Sequence, residues 1–251
     1  MKYDLTQARK CIETLDKRRF DRALLGSGDA FRHIVSLVPL LLHLNHPALP
    51  GYVEDAPAGI ADFILSNYQQ NFLSKEHPEL VEDVQSAVNS DTVFAPILGI
   101  YVMGSFGSIS QTSASDLDIW ICHQDDLSEQ DQQRLAEKTK KISLWASTFH
   151  VEMHFYLMTQ KRFRNERYSD PLTKENSGSA QYMLLLEEFY RSAVRLSGKP
   201  LLWLHLWVED EKQYEAEVAR LVMEGELNPN DWVDFGGLGQ FSASEYFGAS
   251  L

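Results

Sequence analysis

The stretch 96–122 constrains this chain more than any other. Ile97–Met103 is almost wholly apolar, as a buried strand should be. It stops at Gly104-Ser105, where a glycine lets the backbone turn sharply or approach a ligand closely. Ten residues rich in serine and threonine follow, and then Asp116 opens a second apolar strand that runs to Cys122. Strand alternation puts Asp116, Asp118 and Trp120 on one face and Leu117, Ile119 and Ile121 on the other. Two carboxylates side by side repel unless something positive sits between them. A divalent cation is the usual answer, and hard oxygen ligands favour Mg²⁺ or Mn²⁺. An Asp-x-Asp pair alone equally describes a solvated strand end. Strand, Gly-Ser turn, polar excursion, Asp-x-Asp and strand together describe a metal-dependent phosphate site.

At 251 residues the chain suits one large domain or two small ones. No apolar run approaches the roughly 20 residues that span a bilayer. The longest, 34–44, is broken by Pro39 and carries His43. The first twenty residues are charged throughout, unlike a secretory signal. Cys11 and Cys122 give no disulfide framework, which fits a reducing cytoplasm. A formal charge of −13 repels polyanions and argues against a nucleic-acid partner. A nucleotide substrate stays open, because metal ions neutralise a triphosphate locally.

Apolar spacing predicts an amphipathic helix over 4–25, with the basic cluster Lys17-Arg18-Arg19 late in it, either a solvated face or an aid to phosphate binding. A second helix is expected over 29–44, kinked or split near Pro39. His43 and His46 have no third partner completing a zinc pattern. The stretch 47–59 reads as a loop and 60–90 as helical. A helix over 125–149, opened by Ser128 and Asp131, leads into a strand over 151–157. On that strand Val151, Met153, Phe155 and Leu157 point one way, and Glu152, His154 and Tyr156 the other. A polar loop over 161–179 precedes a helix over 181–196, which Gly198 ends. A strand or short helix over 201–208 and a charged helix over 209–224 follow.

Residues 103–124 resemble the catalytic motif of the class I, enterobacterial-type adenylate cyclases, within the nucleotidyltransferase superfamily that includes DNA polymerase β. So do 36–52, 181–203 and 231–251, in the same order as in that family. The resemblance implies an α+β fold, a nucleotidyltransferase-type mixed β-sheet flanked by helices. It implies cyclisation of ATP to 3′,5′-cyclic AMP with release of pyrophosphate, by two-metal-ion chemistry using Mg²⁺ or Mn²⁺. Asp116, Asp118 and Glu152 would then be the catalytic and metal-binding carboxylates. Glu152 is the third because the family has Val-Glu where this chain has Val151-Glu152. A helical crossover of suitable length returns the chain beside the Asp pair. Gly104, Ser105, Ser115 and Lys199 would hold the nucleotide's phosphates, and Trp120 would line its pocket or pack the strand end. His154 is a neighbour outside the pattern.

On this reading 1–90 is a mainly helical amino-terminal region and 91–208 the nucleotidyltransferase core. The remainder, 209–251, is a helical segment beginning the next catalytic subregion. Ser242 and Glu245 make a capping box near the last residue, so a fragment of a longer protein is expected. The family's carboxy-terminal part is regulatory and meets the glucose-specific phosphocarrier of the sugar phosphotransferase system. Two alternatives stay open: transfer of AMP to an external hydroxyl, and a regulatory module that binds nucleotide without turnover.

Overall fold

Strand β1 (Ile97–Met103) is buried along its whole length, which a strand achieves only when both faces of its sheet are covered. The computed structural model describes residues 4–82, 84, 95–112, 115–167, 187–206, 208 and 213–237. β2 (Leu117–His123) pairs antiparallel with β1, setting Met103 opposite Asp118 and Tyr101 opposite Trp120. β3 (Met153–Met158) lies parallel to β2, with Asp118 opposite His154 and Trp120 opposite Tyr156. β4 (Val194–Gly198) pairs antiparallel with the other side of β1, giving the order β3-β2-β1-β4. The α+β mixed sheet expected from the sequence is therefore present.

The helices described up to β4 include α1 (Leu5–Leu25), α2 (Asp29–His43), α3 (Asn67–Glu76), α4 (Glu129–Ser147) and α5 (Gln160–Arg167). Tyr214–Met223 forms α6. Parallel strands need a long connection, and α4 supplies it between β2 and β3. Its start is fixed by Ser128, whose Oγ accepts from the Asp131 N–H at 3.1 Å. One face of the sheet packs Ile100, Val102, Ile119 and Ile121 against α2 and α4 through Leu37, Leu41, Leu135 and Ile142. The other packs Tyr101, Met103 and Trp120 against Phe163, Phe189 and Phe235. The amino-terminal helices and the sheet thus share a core. Among the described residues no helix is long and apolar enough to cross a membrane.

Two expectations need correction, and two open alternatives are narrowed. Of the kink or split expected at Pro39, the split is absent: α2 continues through it as one helix. An interior proline costs about 3 kcal/mol. The helix buries eight apolar side chains besides Pro39, at about 1.5–3 kcal/mol each, which outweighs that loss. Gln160–Arg167 is a helix where a loop over 161–179 was expected, because Phe163 is fully buried against the second core. The expected helix over 181–196 ends early: residues 187–192 are helical, but Val194–Gly198 is an edge strand. Pairing with β1 overrides the helical spacing, and Gly198 (φ +85°) lies where an added Cβ would stand 2.5 Å from the Leu98 carbonyl oxygen. Leu202–Leu204 resolves the strand-or-helix ambiguity as a short 3-10 turn. Residues 181–186 and the box at Ser242 and Glu245 lie outside the described residues.

Candidate active site

The Gly-Ser turn and the Asp pair meet at one end of the sheet. Antiparallel pairing sets Met103, the last residue of β1, opposite Asp118. Gly104 then leaves the strand at φ +79°, a region glycine enters without strain. Its N–H donates to Ser192 Oγ at 2.8 Å. At the same end the Leu117 N–H donates to the Glu152 carbonyl at 3.0 Å, extending the parallel pairing one residue and fixing Glu152 beside the Asp pair.

A carboxylate oxygen of Asp116, one of Glu152 and a ring nitrogen of His154 all lie within 4.8 Å of one another. His154 Nε2 is 3.2 Å from Glu152 Oε1. These three side chains are exposed, whereas Asp118 is half-buried. Asp118 Oδ1 accepts from the Tyr156 hydroxyl at 3.3 Å. Burial pushes the Asp118 carboxyl above its ordinary pKa, and the charges of Asp116 and Glu152 push the same way. His154 and the Tyr156 hydrogen bond oppose that shift. The carboxyl-rich corner thus holds negative charge at a cost that a cation would relieve.

Other residues singled out in the sequence fall in different places. Ser115 sits just before Asp116 and its Oγ accepts from the Thr112 N–H at 2.9 Å. Trp120 is on the Asp face but is only 1% exposed, stacked on Phe189 at 4.5 Å and on Tyr156 at 5.4 Å. It supports the site from beneath. Lys199 is at the other end: its N–H donates to the Leu98 carbonyl and its own carbonyl accepts from the Tyr101 hydroxyl. Leu98 and Met103 are five positions apart on β1, about 16 Å along the strand. The sheet does not bring Lys199 to the Asp pair.

His43 and His46 are engaged by nearby backbone. His43 Nδ1 accepts from the Ile60 N–H at 3.1 Å, its ring stacks on Phe63, and burial lowers its pKa to about 4. His46 Nδ1 accepts from the Ala48 N–H. His154 and Tyr156, to which the sequence pattern assigns no role, lie at the site. Alternation already set them on the Glu152 face, but the register that aims them at the Asp pair is visible only in the sheet. A third, Glu188, has Oε1 3.6 Å from where a Cβ at Gly104 would stand.

Residues 4–204 match the family model described as the adenylate cyclase NT domain. An adenylate cyclase of Haemophilus influenzae is 67% identical over 256 residues, covering 100% of this chain and 30% of its own. One of Pasteurella multocida is 59% identical with the same coverage. The chain therefore spans 30% of the length of these curated relatives. A solved chain from a toxin–antitoxin crystal structure with AMP-PNP aligns with 62% of this chain and 86% of its own. At 15% identity and a TM-score of 0.24, that likeness is too slight to bear on the fold.

Proposed function

Since the chain belongs to the adenylate cyclase NT-domain family, we propose that its acidic corner binds ATP with divalent ions and closes it to 3′,5′-cyclic AMP, releasing pyrophosphate. The observation that carries this reading is the convergence of Asp116, Glu152 and His154 within 4.8 Å beside Asp118 and the Gly104-Ser105 turn. The donor set suits a hard or borderline divalent ion such as Mg²⁺ or Mn²⁺. An ion with bonds of about 2.1 Å holds neighbouring ligand atoms about 3 Å apart and opposite ones about 4.2 Å apart. The present spacing, with all three atoms within 4.8 Å and His154 Nε2 3.2 Å from Glu152 Oε1, is near that range.

Asp116, Asp118 and Glu152 would hold the ions. When bound, they supply charge neutralisation at the phosphates and favour loss of the hydroxyl proton. Glu152 accepts that proton as the ribose 3′-oxygen attacks the α-phosphorus. The bond from the α-phosphorus to its bridging oxygen breaks, and pyrophosphate leaves with the electron pair. Tyr156 holds Asp118 in place through its hydroxyl. The Ser105 hydroxyl and the N–H groups of Ser105 and Phe106 have no hydrogen-bond partner among the described residues, which leaves them to donate to phosphate oxygens.

Product analysis tests this reading. The full-length protein, incubated with ATP and Mg²⁺, is expected to yield cyclic AMP and pyrophosphate. Asp118→Asn is expected to abolish the product while its melting temperature holds or rises, because one of several mutually repelling charges is gone. An adenylylated acceptor, untouched ATP, or near-normal turnover by the Asn variant would contradict it.

A further inference from the structure

We propose that Arg19 of α1 is a positioning residue for the 104–108 turn, holding the Ser105 and Phe106 N–H groups, which have no partner among the described residues, toward the nucleotide's β- and γ-phosphates. The inference rests on the function proposed above. A turn with two glycines at positive φ, Gly104 at +79° and Gly107 at +64°, has much conformational freedom to lose on binding an anion. This one is held from behind. Arg19 donates from one guanidinium nitrogen to the Phe106 carbonyl and from another to the Ser192 carbonyl, both at 2.9 Å. The Gly104 N–H reaches the same Ser192 through its Oγ. Arg22 adds a 3.3 Å bond to the Gly107 carbonyl.

The approach is close. A Cβ on Gly107 would stand 2.2 Å from the Arg19 carbonyl oxygen, so the turn lies directly on α1. The Gly107 N–H is taken by Gln111 Oε1 at 2.6 Å, and the Gln111 amide reaches Ser27 Oγ at 3.0 Å. The Phe106 and Gly107 carbonyls are thus committed to α1, and the Gly104 and Gly107 N–H groups to side chains. Among the described residues the Ser105 and Phe106 N–H groups are left over, on a backbone tied to its neighbours at Gly104, Phe106 and Gly107. A planar guanidinium fork spans two carbonyls from separate segments, and a lysine ammonium does this poorly. Of the basic cluster, Arg19 is half-buried while Lys17 and Arg18 are exposed.

The test uses the full-length protein, with ATP and AMP binding measured in Mg²⁺ by calorimetry alongside KM and kcat. Arg19→Lys is expected to raise KM and the ATP dissociation constant about tenfold, the scale of a lost charge-assisted hydrogen bond. It should leave kcat within about threefold and AMP affinity unchanged, because AMP lacks the outer phosphates. Ser192→Ala should show the same pattern at about threefold, and Arg18→Ala no change. Unchanged ATP affinity in Arg19→Lys, or equal weakening of ATP and AMP, overturns the proposal. Should Arg19→Lys fail to fold, Ser192→Ala decides by the same rule. No ATP binding by the unaltered protein overturns the proposed function and this inference together, and that failure is seen before any variant is made.

Discussion

Glu152 makes the sharpest claim at the scale of single residues. Its carboxylate is exposed and close to both Asp116 and His154. Its role in the proposed reaction is in the chemical step rather than in holding ATP. Glu152→Gln keeps the shape and removes the charge, so kcat is expected to fall by roughly 10²-fold or more with little change in ATP affinity. A variant that loses ATP affinity and keeps kcat would contradict a part for Glu152 in the chemical step. Asp116 and Asp118 were legible because period-two alternation beside a Gly-Ser turn leaves few other arrangements. His154 and Tyr156 were on the correct face in the sequence, yet their partners follow from parallel register, which the sequence does not state. Lys199 was placed by resemblance alone, and pairing of β4 with β1 carries it to the far end of the sheet.

Among the elements, α1 does the most beyond packing. Gly107→Ala puts a side chain at positive φ and within clashing distance of the α1 backbone. The fold is expected to lose more than about 1 kcal/mol, read by denaturant melting. Asp16, also on α1, is raised by burial from the ordinary 3.8 to about 6, against the pull of Arg195 and Arg19. A carboxyl whose folded pKa lies above its unfolded one stabilises the fold while protonated, and that contribution fades as pH rises through the folded value. Stability owed to Asp16 is therefore expected to decline between about pH 4 and pH 6, and Asp16→Asn should flatten that part of the melting-temperature profile. An unaltered profile would contradict the assignment. β1, β2, β3 and the α4 crossover were readable from apolar pattern and the Ser128 cap. β4 was not, since Val194 and Leu196 continue a helical spacing and only their pairing with β1 makes them a strand.

At the scale of the whole molecule, a sheet covered on both faces carries its polar chemistry at one end, where β1 stops, β2 starts and β3 starts. The acidic balance of −13 sets a surface that favours cations, and the turn held by α1 supplies donors for an anion beside them. Length and motif order pointed to this arrangement, whereas the joining of the amino-terminal helices to the sheet core emerges only from packing. The central claim is that the acidic corner is a shared site for divalent ion and nucleotide. Electron paramagnetic resonance of Mn²⁺ bound to the full-length protein tests it most directly, with and without ATP. The account predicts protein-bound Mn²⁺ that tightens with ATP, disappears in Asp116→Asn and Asp118→Asn, and weakens in Glu152→Gln. Undiminished Mn²⁺–ATP binding in both Asp variants would contradict it.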